Sequence, residues 1–104
     1  MELQFKRSNS LIPVIIQDFY KHDVLMLGYM NKQALHKTEK TGYVWFWSRS
    51  KKRLWMKGET SGDKLKVVQI YTDCDSDALL ITVKLLGDAV CHEKKRSCFH
   101  QRII

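Results

Sequence analysis

Residues 79–86 read Leu-Leu-Ile-Thr-Val-Lys-Leu-Leu, so an extended chain would place Leu79, Ile81, Val83 and Leu85 on one face and Leu80, Thr82, Lys84 and Leu86 on the other. Period-two alternation of this kind demands a sheet with one face in a core. Other short apolar runs join it. Residues 11–17 form one, although Pro13 lacks a ladder donor and marks it as an edge strand or the start of a strand. Lys21-His22-Asp23 then reads as a turn, and residues 24–29 return as the second arm of a hairpin. Residues 43–48 are aromatic and β-branched, with Trp45 and Trp47 on one face, and residues 65–72 are largely apolar. A single helix interrupts the strands: Asn31 is placed to cap it, it runs over residues 32–40, and Gly42 is placed to end it. The expected fold is therefore α+β, mostly β: a compact mixed sheet with one main helix.

At 104 residues the chain is expected to form one domain spanning residues 1–104, without repeats, linkers or low-complexity segments. No apolar run reaches the ~18–20 residues needed to span a bilayer, and the N-terminus lacks the long apolar stretch of a signal peptide. A cytoplasmic protein with no membrane partner is expected. In a reducing compartment three cysteines, an odd number, point to metal ligation or buried thiols rather than disulfides. Eighteen Lys and Arg against eleven Asp and Glu give a net charge of +7, which suits an anionic partner.

The chemistry gathers around Asp73-Cys74-Asp75-Ser76-Asp77, Cys91 and Cys98. On a strand, Asp73, Asp75 and Asp77 would point one way and Cys74 the other, so that one segment could serve two metals. Three carboxylates at this spacing repel unless a cation sits among them, and hard oxygens suit magnesium or calcium, with magnesium the sharper expectation. A straight strand would hold Asp73 and Asp77 about 13 Å apart, so the chain has to bend here. The bland alternative is a solvated acidic strand end. An EF-hand is excluded, because Ala78 stands where the turn needs glycine and Lys84 where a bidentate glutamate belongs. Cys74, Cys91 and Cys98 form a soft donor set of the kind that holds zinc with an open position, against the alternative of three scattered thiols. His92, directly after Cys91, is the candidate proton carrier; His100, His22 and His36 read as ordinary surface histidines.

The motifs Phe46-Trp47-Ser48-Arg49-Ser50, Leu54-Trp55, Lys57-Gly58-Glu59-Thr60-Ser61-Gly62, Asp73-Cys74-Asp75-Ser76-Asp77-Ala78-Leu79-Leu80, Cys91-His92 and Arg96-Ser97-Cys98-Phe99 closely resemble those of phosphoribosyl-AMP cyclohydrolase, a histidine-pathway enzyme. The likeness runs from about residue 11 to residue 99. It implies hydrolytic opening of the purine ring of phosphoribosyl-AMP between nitrogen 1 and carbon 6. It also implies magnesium (Mg2+) on Asp73, Asp75 and Asp77, and zinc (Zn2+) on Cys74, Cys91 and Cys98. The resemblance further implies an intertwined homodimer in which Cys74 reaches the zinc of the partner subunit.

The substrate's two phosphates give the basic excess a task. Arg49, Lys57, Glu59, Thr60 and Ser61 are candidate substrate contacts, and Trp47 a surface on which a base can stack, against the reading of the tryptophans as core. Many relatives carry a fused pyrophosphohydrolase domain; here a separate phosphoribosyl-ATP pyrophosphohydrolase is expected to act upstream. No role attaches to residues 1–10 or 101–104. Two rival readings stand beside this one. A zinc-stabilised module binding single-stranded nucleic acid through Trp45, Trp47 and residues 49–53 leaves the aspartates unexplained. A purely structural metal protein predicts no phenotype when those aspartates are replaced.

Overall fold

The computed structural model describes residues 3–5 and 11–104. Six strands and one helix follow in the order β1 (Ile12–Asp18), β2 (Val24–Met30), α1 (Lys32–Thr41), β3 (Trp45–Ser48), β4 (Arg53–Met56), β5 (Leu65–Thr72) and β6 (Leu79–Leu85). This is the α+β, mostly β architecture that the alternation predicts. A four-stranded sheet has the order β2-β1-β6-β5, and β3 and β4 form a separate antiparallel pair. The large sheet is mixed, since β1 runs antiparallel to β2 but parallel to β6.

β1 is thus an interior strand, and of the two readings of Pro13 the strand start is the one realised. Parallel pairing with β6 begins at Val14, one residue beyond the proline, where a missing N–H no longer matters to that ladder. Ile12, Val14 and Ile16 on β1 and Ile81 and Val83 on β6 are fully buried, which is the period-two pattern turned into a core face.

The helix begins where Asn31 Oδ1 accepts the Ala34 N–H at 2.8 Å, and ends at Gly42, whose φ of 78° is left-handed and whose N–H reaches Thr38 O. Ala34 and Thr38 are its buried residues. Thr38 is satisfied there, donating to Ala34 O at 2.8 Å and accepting from Trp45 N at 2.9 Å, and so joins the helix to β3. On β3 the buried side chain is Phe46, while Trp45 and Trp47 share the opposite, half-buried face. Phe46 lies against Gly28, where any β-carbon would come within 2.5 Å of its ring.

Of residues 1–10, only 3–5 lie within the description. Phe5 belongs to the core and Leu3 packs on it, while Gln4 N donates to Ser76 O at 2.7 Å, so these residues do have a structural role that the sequence reading did not assign. At the other end Ile103 and Ile104 are exposed. Among the described residues no helix is long and apolar enough to cross a membrane.

Candidate functional site

The carboxyl ends of β1 and β6 and the amino ends of β2 and β5 meet at one edge of the sheet, because Asp18 pairs with Val83, Gln17 with Val24 and Leu65 with Leu85. Two loops gather at this edge. The first, between β4 and β5, is tightened by Gly62 N donating to Gly58 O at 2.8 Å and by Glu59 Oε1 accepting Met56 N at 2.8 Å. Gly58, at φ 85°, has the Asp63 backbone where a β-carbon would stand. The second is the irregular segment after β6, as the end of the alternation predicts. Lys57 joins the two by donating from Nζ to Val90 O.

Between these loops lies a cleft of about 280 Å³, lined among others by Trp55, Lys57, Glu59, Thr60, Ser61, Cys91 and His92. Four of the six expected substrate contacts therefore share one cleft with the expected proton carrier and one expected metal ligand. The other two do not reach it. Arg49 stacks its guanidinium 4.0 Å above the Tyr29 ring, and Trp47 lies on β3 outside the cleft lining.

Beside the cleft is a cluster of metal-ligating atoms. Cys91, buried at 8% exposure, places Sγ 3.8 Å from His100 Nε2, and His100 Nε2 is 3.0 Å from Glu93 Oε1. All three ligand atoms lie within 4.8 Å of one another. Cys98 is held nearby by its N–H, which donates to Leu25 O at 2.7 Å. Although Cys98 is exposed as a residue, partial burial of its sulfur raises its pKa above the ordinary thiol value, the adjacent Cys91 sulfur raises it further, and Lys57 opposes both. Ligands of one tetrahedral zinc at 2.0–2.3 Å stand about 3.3–3.8 Å apart, so the 3.8 Å between Cys91 Sγ and His100 Nε2 suits a zinc-sized ion. His100 and Glu93 are the residues that sequence reading missed; the available signal was a thiol with an imidazole or carboxylate within two residues, occurring twice in ten positions.

The acidic segment lies elsewhere. Thr72 pairs with Leu79, so residues 73–78 form the turn joining β5 to β6 at the opposite edge of the sheet. The bend expected here is present, with Ser76 left-handed at φ 59°. The alternation of faces is not: a turn has no period of two, and Cys74 Sγ lies 3.6 Å from Asp75 Oδ1 instead of pointing away from it. Asp73 Oδ1 accepts the N–H groups of Asp77 at 3.1 Å and Ala78 at 3.3 Å, and the Asp77 N–H is the main cause that holds the Asp73 carboxyl below its ordinary pKa. The Cys74 thiol is pushed up, chiefly by the charge of Asp75. β6 has seven residues, so the turn and the Cys91 cluster are separated by about 20 Å within one chain. One subunit does not bring Cys74 to Cys91 and Cys98.

The profile of the family described as phosphoribosyl-AMP cyclohydrolase matches residues 26–100. The chain is 52% identical over 103 residues to the phosphoribosyl-AMP cyclohydrolase of Solibacter usitatus (strain Ellin6076), covering 99% of this chain and 82% of that protein. It is 55% identical to the phosphoribosyl-AMP cyclohydrolase of Clostridium botulinum (strain Kyoto / Type A2), covering 99% and 93% respectively. It is also 57% identical over 99 residues to the histidine biosynthesis bifunctional protein HisIE of Buchnera aphidicola subsp. Schizaphis graminum, covering 95% of this chain and 47% of that longer protein. A family profile that takes in the β4–β5 loop, the acidic turn and the Cys91–Cys98 segment, together with relatives matched over nearly the whole chain, shows that this protein belongs to the phosphoribosyl-AMP cyclohydrolase family.

Proposed function

We propose that this chain acts as a single cytoplasmic cyclohydrolase domain that opens the purine ring of 1-(5-phosphoribosyl)-AMP by hydrolysis between nitrogen 1 and carbon 6, the third step of histidine biosynthesis. The observation that carries the reading is the convergence of Lys57, Glu59, Thr60, Ser61 and His92 with Cys91 on one cleft, in a chain of this family. A phosphoribosyl-ATP pyrophosphohydrolase supplies the substrate.

The substrate is an anion with two phosphomonoesters. Lys57, whose ammonium already spans the cleft to Val90 O, supplies a positive charge for one of them. The hydroxyls of Thr60 and Ser61 and the N–H groups of their loop are further donors. Glu59 serves the loop's shape through its bond to Met56 N. His92, exposed at the cleft, carries a proton to or from the ring as the bond to carbon 6 breaks.

Cys91 and Cys98, with Cys74 of the partner subunit, are the expected zinc ligands, and the bound ion supplies Lewis acidity toward water. Asp73, Asp75 and Asp77 would hold magnesium, and because their turn lies at the far end of the sheet from this chain's cleft, the ion would supply its positive charge to the substrate bound in the partner subunit's cleft. A homodimer is needed for the first of these sets, since about 20 Å separates Cys74 from Cys91 in one chain. An apolar row supports such an assembly. Leu27, Ile15, Leu80 and Tyr71 pair in register across all four strands on the outward face of the large sheet, and Leu27, Ile15 and Tyr71 are exposed.

The test is an absorbance assay of ring opening with purified protein, phosphoribosyl-AMP, zinc and magnesium. Turnover is expected from the unaltered chain. His92→Ala should lower turnover far more than zinc content, and near-normal turnover would remove His92 from the mechanism. Full activity of Asp75→Ala without added magnesium would end the two-metal account, and no turnover by the parent protein with both metals would end the functional reading itself.

A further inference from the structure

The segment that follows β6 is wound tightly enough to place its side chains. Cys91 N donates to Lys95 O at 3.1 Å, and Lys94 N donates back to Cys91 O at 2.9 Å, with Lys94 in the left-handed region at φ 62°. The chain is then pinned to the first residues of β2: Ser97 Oγ donates to Val24 O at 2.8 Å and Cys98 N to Leu25 O at 2.7 Å. Phe99 N donates to Ser97 Oγ at 3.0 Å, which turns the backbone back toward its start. This return delivers His100 to Cys91.

An exposed histidine beside a glutamate is ordinary and contributes little. Here the same Nε2 that meets Glu93 Oε1 at 3.0 Å also stands 3.8 Å from a buried cysteine sulfur, and the His100 side chain is only 23% exposed. A weak thiol contact does not need an imidazole and a carboxylate converging on it. The sulfur-to-nitrogen distance is close to the ~3.6 Å separating two ligands of one tetrahedral zinc. The family resemblance assigns three cysteines to that ion and neither of these residues.

We propose that His100 is a zinc ligand in this protein, its Nε2 joining the sulfurs of Cys91 and Cys98 so that one subunit supplies three of the ligands by itself. The inference rests on the zinc reading of the cysteines given above. The metal takes the place of the Nε2 proton that Glu93 now accepts, that proton passing to Nδ1 so that the imidazole stays neutral, and the thiol protons of Cys91 and Cys98 leave to solvent. Glu93 is then a positioning residue that steers the imidazole before the ion arrives. Two consequences follow for the ion's surroundings. Within one subunit two thiolates and a neutral imidazole balance the charge of Zn2+, before the partner subunit's Cys74 adds a third thiolate. And zinc no longer depends on the partner's turn for retention; with the partner subunit's Cys74 the protein ligands number four, so water would reach the ion in place of His100 or as a fifth ligand.

Cadmium-substituted protein labelled at the histidine side-chain nitrogens tests the bond directly, with no substitution required. Scalar coupling between cadmium and a single His100 nitrogen is expected; tightly bound cadmium without it would overturn the proposal. In zinc competition against a chelator, Cys74→Ser should retain one zinc per chain, and His100→Phe in that background should weaken binding by about tenfold or more. Equal affinity with and without the His100 replacement would also overturn it. The two readings fail differently. If the parent protein binds neither zinc nor cadmium, both fall; if His100→Phe weakens binding while Cys74→Ser has the parent's affinity, His100 stands and the shared-cysteine reading falls.

Discussion

Replacing Arg96 by alanine should destabilise the protein by about 1.5–3 kcal/mol, and the two halves of its interaction contribute unequally. Arg96 reaches back to the β1–β2 turn, with Nε and Nη2 each 3.0 Å from an oxygen of Asp23 and Nη2 also 3.1 Å from Asp18 Oδ2. The Asp23 side chain is 40% exposed, so water and salt screen that half to about 0.5–1 kcal/mol despite its bidentate geometry. The Asp18 side chain is 6% exposed. Stripping the partner from a buried carboxylate costs about 3–5 kcal/mol when nothing else compensates. Lys21 N already donates to Asp18 Oδ2 at 2.8 Å, and water can enter where the partly exposed arginine stood, which leaves about 1–2 kcal/mol for this half.

Urea unfolding followed by tryptophan fluorescence reads the sum as a lower midpoint at unchanged slope, and a thermal scan as a fall of about 7–14 °C. Arg96→Lys keeps the charge and loses the fork, so about 1 kcal/mol is expected. Double-mutant cycles separate the halves, and the coupling of Arg96 to Asp18 should exceed its coupling to Asp23. A loss under about 0.5 kcal/mol for Arg96→Ala, or a larger coupling to Asp23, would refute the assignment of the energy to the buried partner.

Three further perturbations test other parts of the structure. Gly28→Ala drives a β-carbon to within 2.5 Å of the buried Phe46 ring, and should cost about 1–3 kcal/mol by overpacking, measured by the same unfolding titration. Asn31→Ala removes the acceptor of the Ala34 N–H and should cost about 1 kcal/mol, with the loss of helical circular dichroism confined to the onset of melting. Acid should weaken the fold through Asp23, whose carboxyl is held below its ordinary pKa chiefly by the hydrogen bond from Arg96. Because the folded value lies below the unfolded one of about 3.9, this contribution is complete above that pH and is lost as pH falls through the folded value; in Arg96→Ala the acid limb of the stability curve should flatten.

The elements of this fold were legible where a local rule decides them. Asn31 and Gly42 bracket the helix because capping depends on a few adjacent atoms, and the alternation in residues 79–85 commits them to a sheet wherever that sheet lies. Strand order was not legible. The parallel partnership of β1 with β6 joins residues some sixty positions apart, and Pro13 restricts only its own ladder position. The same division runs through the site. Lys57, Glu59, Thr60 and Ser61 lie on one loop, so their convergence follows from sequence proximity. The contact of His100 with Cys91 depends on how residues 96–98 are tied to β2, a tertiary event that the nearness of His100 to Cys98 in sequence does not specify. Face alternation failed at residues 73–77 because period two holds only while the ladder continues, and the ladder stops at Thr72.

The parallel pairing of β1 with β6 also sets a time order. The hairpins β1–β2, β3–β4 and β5–β6 each close a short loop, whereas β1 meets β6 only after the intervening chain has been gathered in, which makes that contact the late and slow one. Cys91 extends from β6, while Cys98 is tied to Leu25 on β2, which β1 carries. Until that closure Cys98 has no anchor on β2, and the two thiols, though on one short segment, have no fixed spacing. A nascent chain therefore meets the cellular metal pool without a formed pocket, and the ion it finally holds is selected by a geometry that exists only once folding is complete.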